Sequence, residues 1–227
     1  MEVLRFRISG YMAHFRKVYS NSTSLTYFFP PRTTVMGLLA GAMGRDRDSY
    51  YEDFSDLKIA VIPRTQLRKL VFAESYLDTD SLSADKFRGI GNRVPTTREF
   101  VVGDQGLTYE VWVAEGKEFE RALRYPVYPP SLGPANLLAW VHDVRVEECT
   151  PVQEISGEVV GVVRANLVDV TPESGQKVVV EELVPREFDG ERHSGPLVNY
   201  YLEVRGRPIR VKGKAEGVRC GETAVFM

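Results

Sequence analysis

The hydrophobic period of this chain changes along its length, and the order of the changes limits the folds open to it. Residues 3–9 alternate, with Leu4, Phe6 and Ile8 on one face and Val3, Arg5, Arg7 and Ser9 on the other, which predicts a half-buried strand with a basic outer face. After Pro30-Pro31, the apolar run from Val35 to Gly44 is too long for a strand and too short to span a bilayer, so it predicts a helix that stops at Gly44. Strand patterns follow at 57–62, 68–77 and 107–114. In 117–124 Phe119, Ala122 and Leu123 share a helical face until Tyr125-Pro126, and a closing strand is expected over 137–146. From Gly157 onward only strand patterns occur, at Val159 to Val163, 178–180, Tyr200 to Val204 and Ile209 to Val211.

Strand, helix, strand, strand, helix, strand is the order of a ferredoxin-like (RRM-like) unit. The expected class is therefore α+β: a ferredoxin-like part over residues 1–148, with a polar arm inserted near 80–106, and a β-rich part over 149–227. A chain of 227 residues with 43% hydrophobic residues can bury a core of this size without a metal or a disulfide framework. Cys149 and Cys220 have no ligand partners at zinc spacing, so no Cys-based metal site is expected and a reducing cytoplasm suits the chain. Charges in Met1 to Arg7 stand where a signal peptide needs apolar residues, so neither secretion nor a membrane span is expected. With a net charge of -2, nucleic-acid binding must rest on a local basic patch.

Three segments carry candidate chemistry. Arg32 before a helix start, with the Thr33 and Thr34 hydroxyls, makes either a phosphate-sized site or a plain threonine cap beside a solvated arginine. In the same helix Gly37 and Gly41 share a face, which implies close approach of a neighbour such as the sheet. His14, Arg16, Lys17 and Tyr19, followed by Tyr27, Phe28 and Phe29, interleave cations with aromatics, a pattern that suits single-stranded RNA. Such aromatics also serve as core anchors, a role that falls to Phe28 or Phe29 before Tyr19. The arm carries Lys86, Arg88, Arg93 and Arg98 and either follows a nucleic-acid backbone or is a solvated hairpin. Metal-free RNA cleavage needs one base and one acid, for which His14 or His142 with Tyr19 or Lys17 are the candidates. A lone histidine is also commonly structural, and no Walker loop, Gly-x-Ser-x-Gly motif or metal-ligand pair occurs.

His14-Phe15-Arg16-Lys17 and the run from Tyr27 through Pro30-Pro31-Arg32-Thr33-Thr34 to Leu39 resemble the amino-terminal signature of the CRISPR-associated Cas-five family of the RAMP superfamily. Tyr128-Pro129-Pro130-Ser131-Leu132-Gly133 resembles that family's later Leu-Gly turn. The resemblance spans roughly residues 1 to 145. It implies a ferredoxin-like palm, a β-hairpin thumb and a β-rich carboxy-terminal part. It also implies a non-catalytic role: holding the 5′ handle of CRISPR RNA (crRNA) in a type I Cascade, against the backbone and large subunits, near target DNA, with no cofactor, metal or membrane. Arg16, Lys17 and Arg32 would then meet phosphates, Tyr19 or Tyr27 would stack on a base, and Arg88 with Arg93 would grip from the thumb. One subfamily, of type I-C, instead cuts precursor RNA without metal through a His with Lys and Tyr. Its adjacent Lys-His pair is absent here; His14 near Lys17 and Tyr19, and His142 alone, depart from it.

Overall fold

The computed structural model describes residues 1–21, 23–77, 84, 88 and 93–227. After β1 (Glu2–Gly10), two short strands, β2 (Phe15–Arg16) and β3 (Thr26–Tyr27), pair with each other, and α1 (Arg32–Met43) follows. Then come β4 (Ile59–Pro63), β5 (Leu67–Leu77), β6 (Arg93–Gly103) and β7 (Leu107–Ala114). A 3-10 turn at Lys117–Phe119 runs into α2 (Glu120–Arg124) and β8 (Ala139–Glu148). The main sheet has the order β4-β7-β1-β8, with every pair antiparallel.

Period two explains both faces of this sheet. Leu4, Phe6 and Ile8 of β1 stand beside Val113, Val111 and Tyr109 of β7, and they share an apolar cluster with Met36 and Leu39 of α1 and Leu123 of α2. The opposite face, expected to be basic and outward, is largely covered. Val3, Ala60, Ile62 and Trp112 pack there against Val160, Val218, Ala224 and Phe226 of the carboxy-terminal part. Arg5 is buried with them, its guanidinium 4.4 Å over the Trp112 ring and 2.7 Å from the Glu110 carboxylate. Arg64 joins Glu110 at 2.8 Å and the Trp112 indole N–H donates to it at 2.8 Å.

The strand pattern at 68–77 leaves the main sheet. β5 pairs with β6 from Leu67↔Gly103 to Leu77↔Arg93, a two-stranded ribbon beginning well before the arm expected near 80–106. Leu70, Val71, Phe72, Tyr76 and Val94 are exposed along it, so both faces of this part of the ribbon are unshielded and it is not a core strand.

The carboxy-terminal part holds β9 (Thr150–Val159), β10 (Val163–Arg164), β11 (Val168–Thr171), β12 (Val178–Pro185), β13 (Leu197–Glu203), β14 (Ile209–Cys220) and β15 (Glu222–Val225). β10, β13 and β12 form one sheet, while β14 pairs with β9, β11 and β15 in another. The run expected as one strand at Val159 to Val163 is split between the end of β9 and the start of β10. The main apolar cluster continues across residue 148, taking in Val162, Val184, Tyr200, Leu202 and Met227.

The two cysteines, expected as free thiols, are bonded to each other. Their separation of 71 residues hides the reason: β14 and β9 pair up to Arg219↔Thr150, which sets Cys220 beside Cys149 with Cα atoms 5.0 Å apart.

Candidate nucleic-acid interface

An open groove of about 970 Å³ lies where α1, the β5–β6 ribbon, the β1–β2 connection and the 128–134 turn meet. α1 supplies one side through Thr33, Thr34, Gly37, Leu38 and Gly41. The ribbon supplies Tyr76, Val94, Thr96 and Arg98, and His14 and Arg16 enter from the segment after β1. Tyr50, Tyr128 and Arg192 complete the chemically distinctive lining. Among the described residues the lining contains three arginines and no carboxylate, so a polyanion meets net attraction along it.

The glycines of α1 therefore serve a different neighbour from the one expected. A Cβ on Gly41 would meet nothing within 4 Å, and one on Gly37 only the Tyr50 side chain. The helix stop is as expected, with Gly44 at φ 76° donating its N–H to Ala40 and Gly41 carbonyls. Its start is not. Pro31 is the capping residue, without a side-chain hydrogen bond, and both threonines lie inside the first turn.

Arg32 is 2% exposed, and its guanidinium is consumed by the protein itself. Nε and Nη2 donate to the Leu57 carbonyl at 3.1 and 2.9 Å, Nη2 also to Phe54 and Ser55, and Nη1 to Arg186 at 3.3 Å. This residue ties the 54–57 segment and the carboxy-terminal part to α1, so it has no donors left for a phosphate. The sequence showed a cation at a helix start; it could not show that the chain folds back over it.

His14 is likewise buried. Its Nδ1 donates to the Glu99 carbonyl at 2.7 Å, which leaves Nε2 to accept from the Ser24 hydroxyl at 3.1 Å. Burial lowers its pKa below the usual histidine value, against the raising effect of the Glu99 hydrogen bond, and the Arg98 and Arg16 charges add to the lowering. The Leu-Gly turn explains why a compact backbone is needed here. His14 N–H donates to the Leu132 carbonyl at 3.0 Å, and a Cβ on Gly133, at φ 107°, would lie 2.0 Å from the His14 carbonyl oxygen. The two motifs quoted from distant parts of the sequence are one contact.

Lys17 is paired with Glu181 at 2.6 Å. Burial works against its charge, but the Glu181 hydrogen bond and charge raise its pKa above the ordinary lysine value. Glu181 also accepts from the Phe28 N–H at 3.1 Å and lies 3.6 Å from Lys69 at the base of the ribbon. Tyr27 is fully buried, donating to the Leu183 carbonyl at 2.7 Å, and so offers no face to a base. Phe29 is buried and Phe28 packs on the same cluster, while Tyr19 is exposed, as the core-anchor reading expects. Tyr19 does not line the groove.

Arg16 is exposed and donates to the Ser20 carbonyl at 3.1 Å. Arg98 lies over the Phe100 ring at 5.2 Å, reaches Glu74 at 3.9 Å, and has a buried Nε without a hydrogen-bond partner. Arg93 is exposed at the end of the ribbon and Arg88 is exposed, both outside the groove lining, and Lys86 lies outside the described residues. His142 stands opposite Arg7 on the sheet face turned away from α1, hydrogen-bonded to Ser9 at 2.9 Å. His14 thus lines the groove, while Tyr19, Lys17 and His142 stand outside its lining.

Sequence reasoning missed Arg192 and Tyr50, which become neighbours of the groove only through the fold; Arg98, expected as a cation of the arm, and Tyr128, the first residue of the Leu-Gly turn motif, do line it.

The family model described as CRISPR-associated protein (Cas_Cas5) matches residues 3–210. A search of curated proteins finds no match. Among solved structures, a CRISPR protein from Archaeoglobus fulgidus is similar with a TM-score of 0.68 at 13% identity, covering 100% of this chain and 99% of that one. A chain of a CRISPR RNA-guided surveillance complex gives 0.54 at 19% identity, covering 99% and 91%. A chain of the Type III-B Cmr-beta complex bound to cognate target RNA and AMPPnP gives 0.54 at 10% identity, covering 91% and 86%. At these identities the likeness is one of fold.

Proposed function

The chain belongs to the CRISPR-associated Cas5 family, and from that premise we propose that it is a non-catalytic subunit of a type I Cascade that binds the 5′ handle of crRNA. The observation that carries this reading is the groove with its arginines and no lining carboxylate. Its open α1 face lets a sugar-phosphate backbone approach closely, and its tyrosines offer rings to unstacked bases. In this reading the β4-β7-β1-β8 sheet with α1 and α2 on one face is the ferredoxin-like palm, and the β5–β6 ribbon is the thumb. Backbone and large subunits are the protein partners, target DNA is met through the complex, and the work is done in the cytoplasm.

Arg16 and Arg98 are the phosphate contacts of this reading, in place of Lys17 and Arg32, whose charges are used internally. The test is a labelled repeat RNA incubated with the protein in chelator across a salt series, on native and denaturing gels. A salt-sensitive shift with intact RNA is the expected result. An affinity that does not change with salt, or RNA cut at one position, would overturn the reading.

A further inference from the structure

We infer that Arg192, contributed by the carboxy-terminal part, forms a phosphate subsite of the groove, held in place by Asp48; this rests on the RNA-binding reading above. Arg192 lines the groove, 49% of its side chain is exposed, and its Nε donates to the Asp48 carboxylate at 2.9 Å. Its Nη groups have no partner among the described residues, so two N–H-bearing nitrogens of a planar fork are left for an incoming oxyanion.

The turn that presents Arg192 is built to hold it. Asp189 accepts the Glu191 N–H at 2.9 Å and the His193 N–H at 2.8 Å, and its second oxygen meets His193 Nδ1 at 3.0 Å. Arg192 N–H donates to the Asp189 carbonyl at 3.0 Å. Both ends of the ion pair occupy the left-handed region, Asp48 at φ 64° and Arg192 at φ 65°, a conformation that an arginine adopts at a cost. Asp48 is itself fixed by the Tyr51 hydroxyl at 2.9 Å and lies 3.3 Å from Arg47. It is not part of the groove lining, so it orients the guanidinium without facing the ligand. Beside it, Tyr50 lines the groove and offers a ring next to the phosphate. A single-stranded chain running from Arg98 and Arg16 would thus meet a third cation, carried by residues far from the other two in sequence.

The test is filter binding of single-stranded repeat RNA in a salt series by the wild type, Arg192→Ala, Arg192→Lys and Asp48→Asn, with thermal unfolding of each. Arg192→Ala is expected to lower the slope of log affinity against log salt by about 0.7, one phosphate of a single strand, and to weaken binding several-fold at low salt. Arg192→Lys should keep the slope. Asp48→Asn should also keep the slope while weakening binding, because the charge stays but is no longer held. A merely structural role would lower the melting temperature and leave the slope of Arg192→Ala equal to that of the wild type, which overturns the subsite and leaves the RNA reading standing. Failure of the wild type itself to bind RNA overturns both.

Discussion

Arginines converge in two regions of this molecule and are treated in opposite ways. On the sheet face turned away from α1, Arg5, Arg7 and Arg64 meet the single carboxylate of Glu110, at 2.7, 3.4 and 2.8 Å, under a lid of carboxy-terminal strands. In the groove beside α1, Arg16, Arg98 and Arg192 face an open space with no lining carboxylate, and the acids that touch two of them, Glu74 and Asp48, stand outside the lining. In the first set Arg5 is buried and Arg64 and Arg7 are partly exposed, and each pairs with a second acid, Glu147, Glu222 and Asp143 respectively, so their charge is spent within the fold. In the second, Arg16 and Arg192 are exposed and Arg98, though largely covered, lines the groove, so the three offer charge from the groove side, which is what a polyanion site requires. Arginine content alone therefore says nothing about binding; the placement of the carboxylates does.

The largest expected effect lies in the closed region. Glu110→Gln leaves the buried Arg5 with only the more exposed Glu147 as counter-charge and should cost about 3 kcal/mol in denaturant unfolding, while the salt slope of RNA binding by the folded protein stays unchanged. A changed slope would break the distinction between the two regions. Acid provides a second reading of the same site. Burial would raise the Glu110 pKa, but hydrogen bonds from Arg5 and Trp112 and the charge of Arg64 lower it to about 2. Its stabilisation is therefore complete above the unfolded value of about 4.3 and is lost as pH falls from there toward 2. Glu110→Gln should abolish that part of the acid transition.

Arg32→Met is expected to have an effect of similar size, since a buried carbonyl left without a donor costs about 1–3 kcal/mol and Ser55, Leu57 and Arg186 lose the Arg32 donor, whereas Phe54 keeps the Leu57 N–H. It should lower the melting temperature with no change in salt slope. Arg16→Ala should do the reverse, lowering the slope by about 0.7 with stability within about 0.5 kcal/mol of the wild type. Equal behaviour of the two variants would erase the comparison. The smallest effect concerns His14. Its pKa is lowered by burial, so its contribution to stability is present above the unfolded value of about 6.5 and declines as pH drops below it. A titration of stability between pH 7 and 5 should show this shallow loss, and His14→Asn should remove it.

Local signals in the chain reported local structure well. The alternation at 3–9, the strand at 107–114, the break at Tyr125-Pro126 and the glycine stop of α1 are each decided by side-chain period or by a backbone preference within a few residues. The strand at 68–77 was also legible as a strand, but its partner was not. Pairing with 93–103 instead of the main sheet depends on what shields its faces, and the β-favouring residues Leu70, Val71, Phe72 and Tyr76 suit a core strand and an exposed ribbon alike. The site was half legible for a related reason. His14, Arg16, Thr33 and Thr34 line the groove, whereas Tyr27 and Arg32 carry the same chemistry inside the core and Lys17 is taken up by Glu181.

What the sequence determined by itself is the set of elements and the family, because period, breakers and the amino-terminal motif act over short spans. Tertiary structure alone decided which cations are spent. Glu181 reaches Lys17 across 164 residues, the Arg186 carbonyl reaches Arg32 across 154, and Arg192 reaches Asp48 across 144. Electrostatic interaction and desolvation depend on distance in space, and a chain that folds back on itself assigns those distances without regard to order along the sequence.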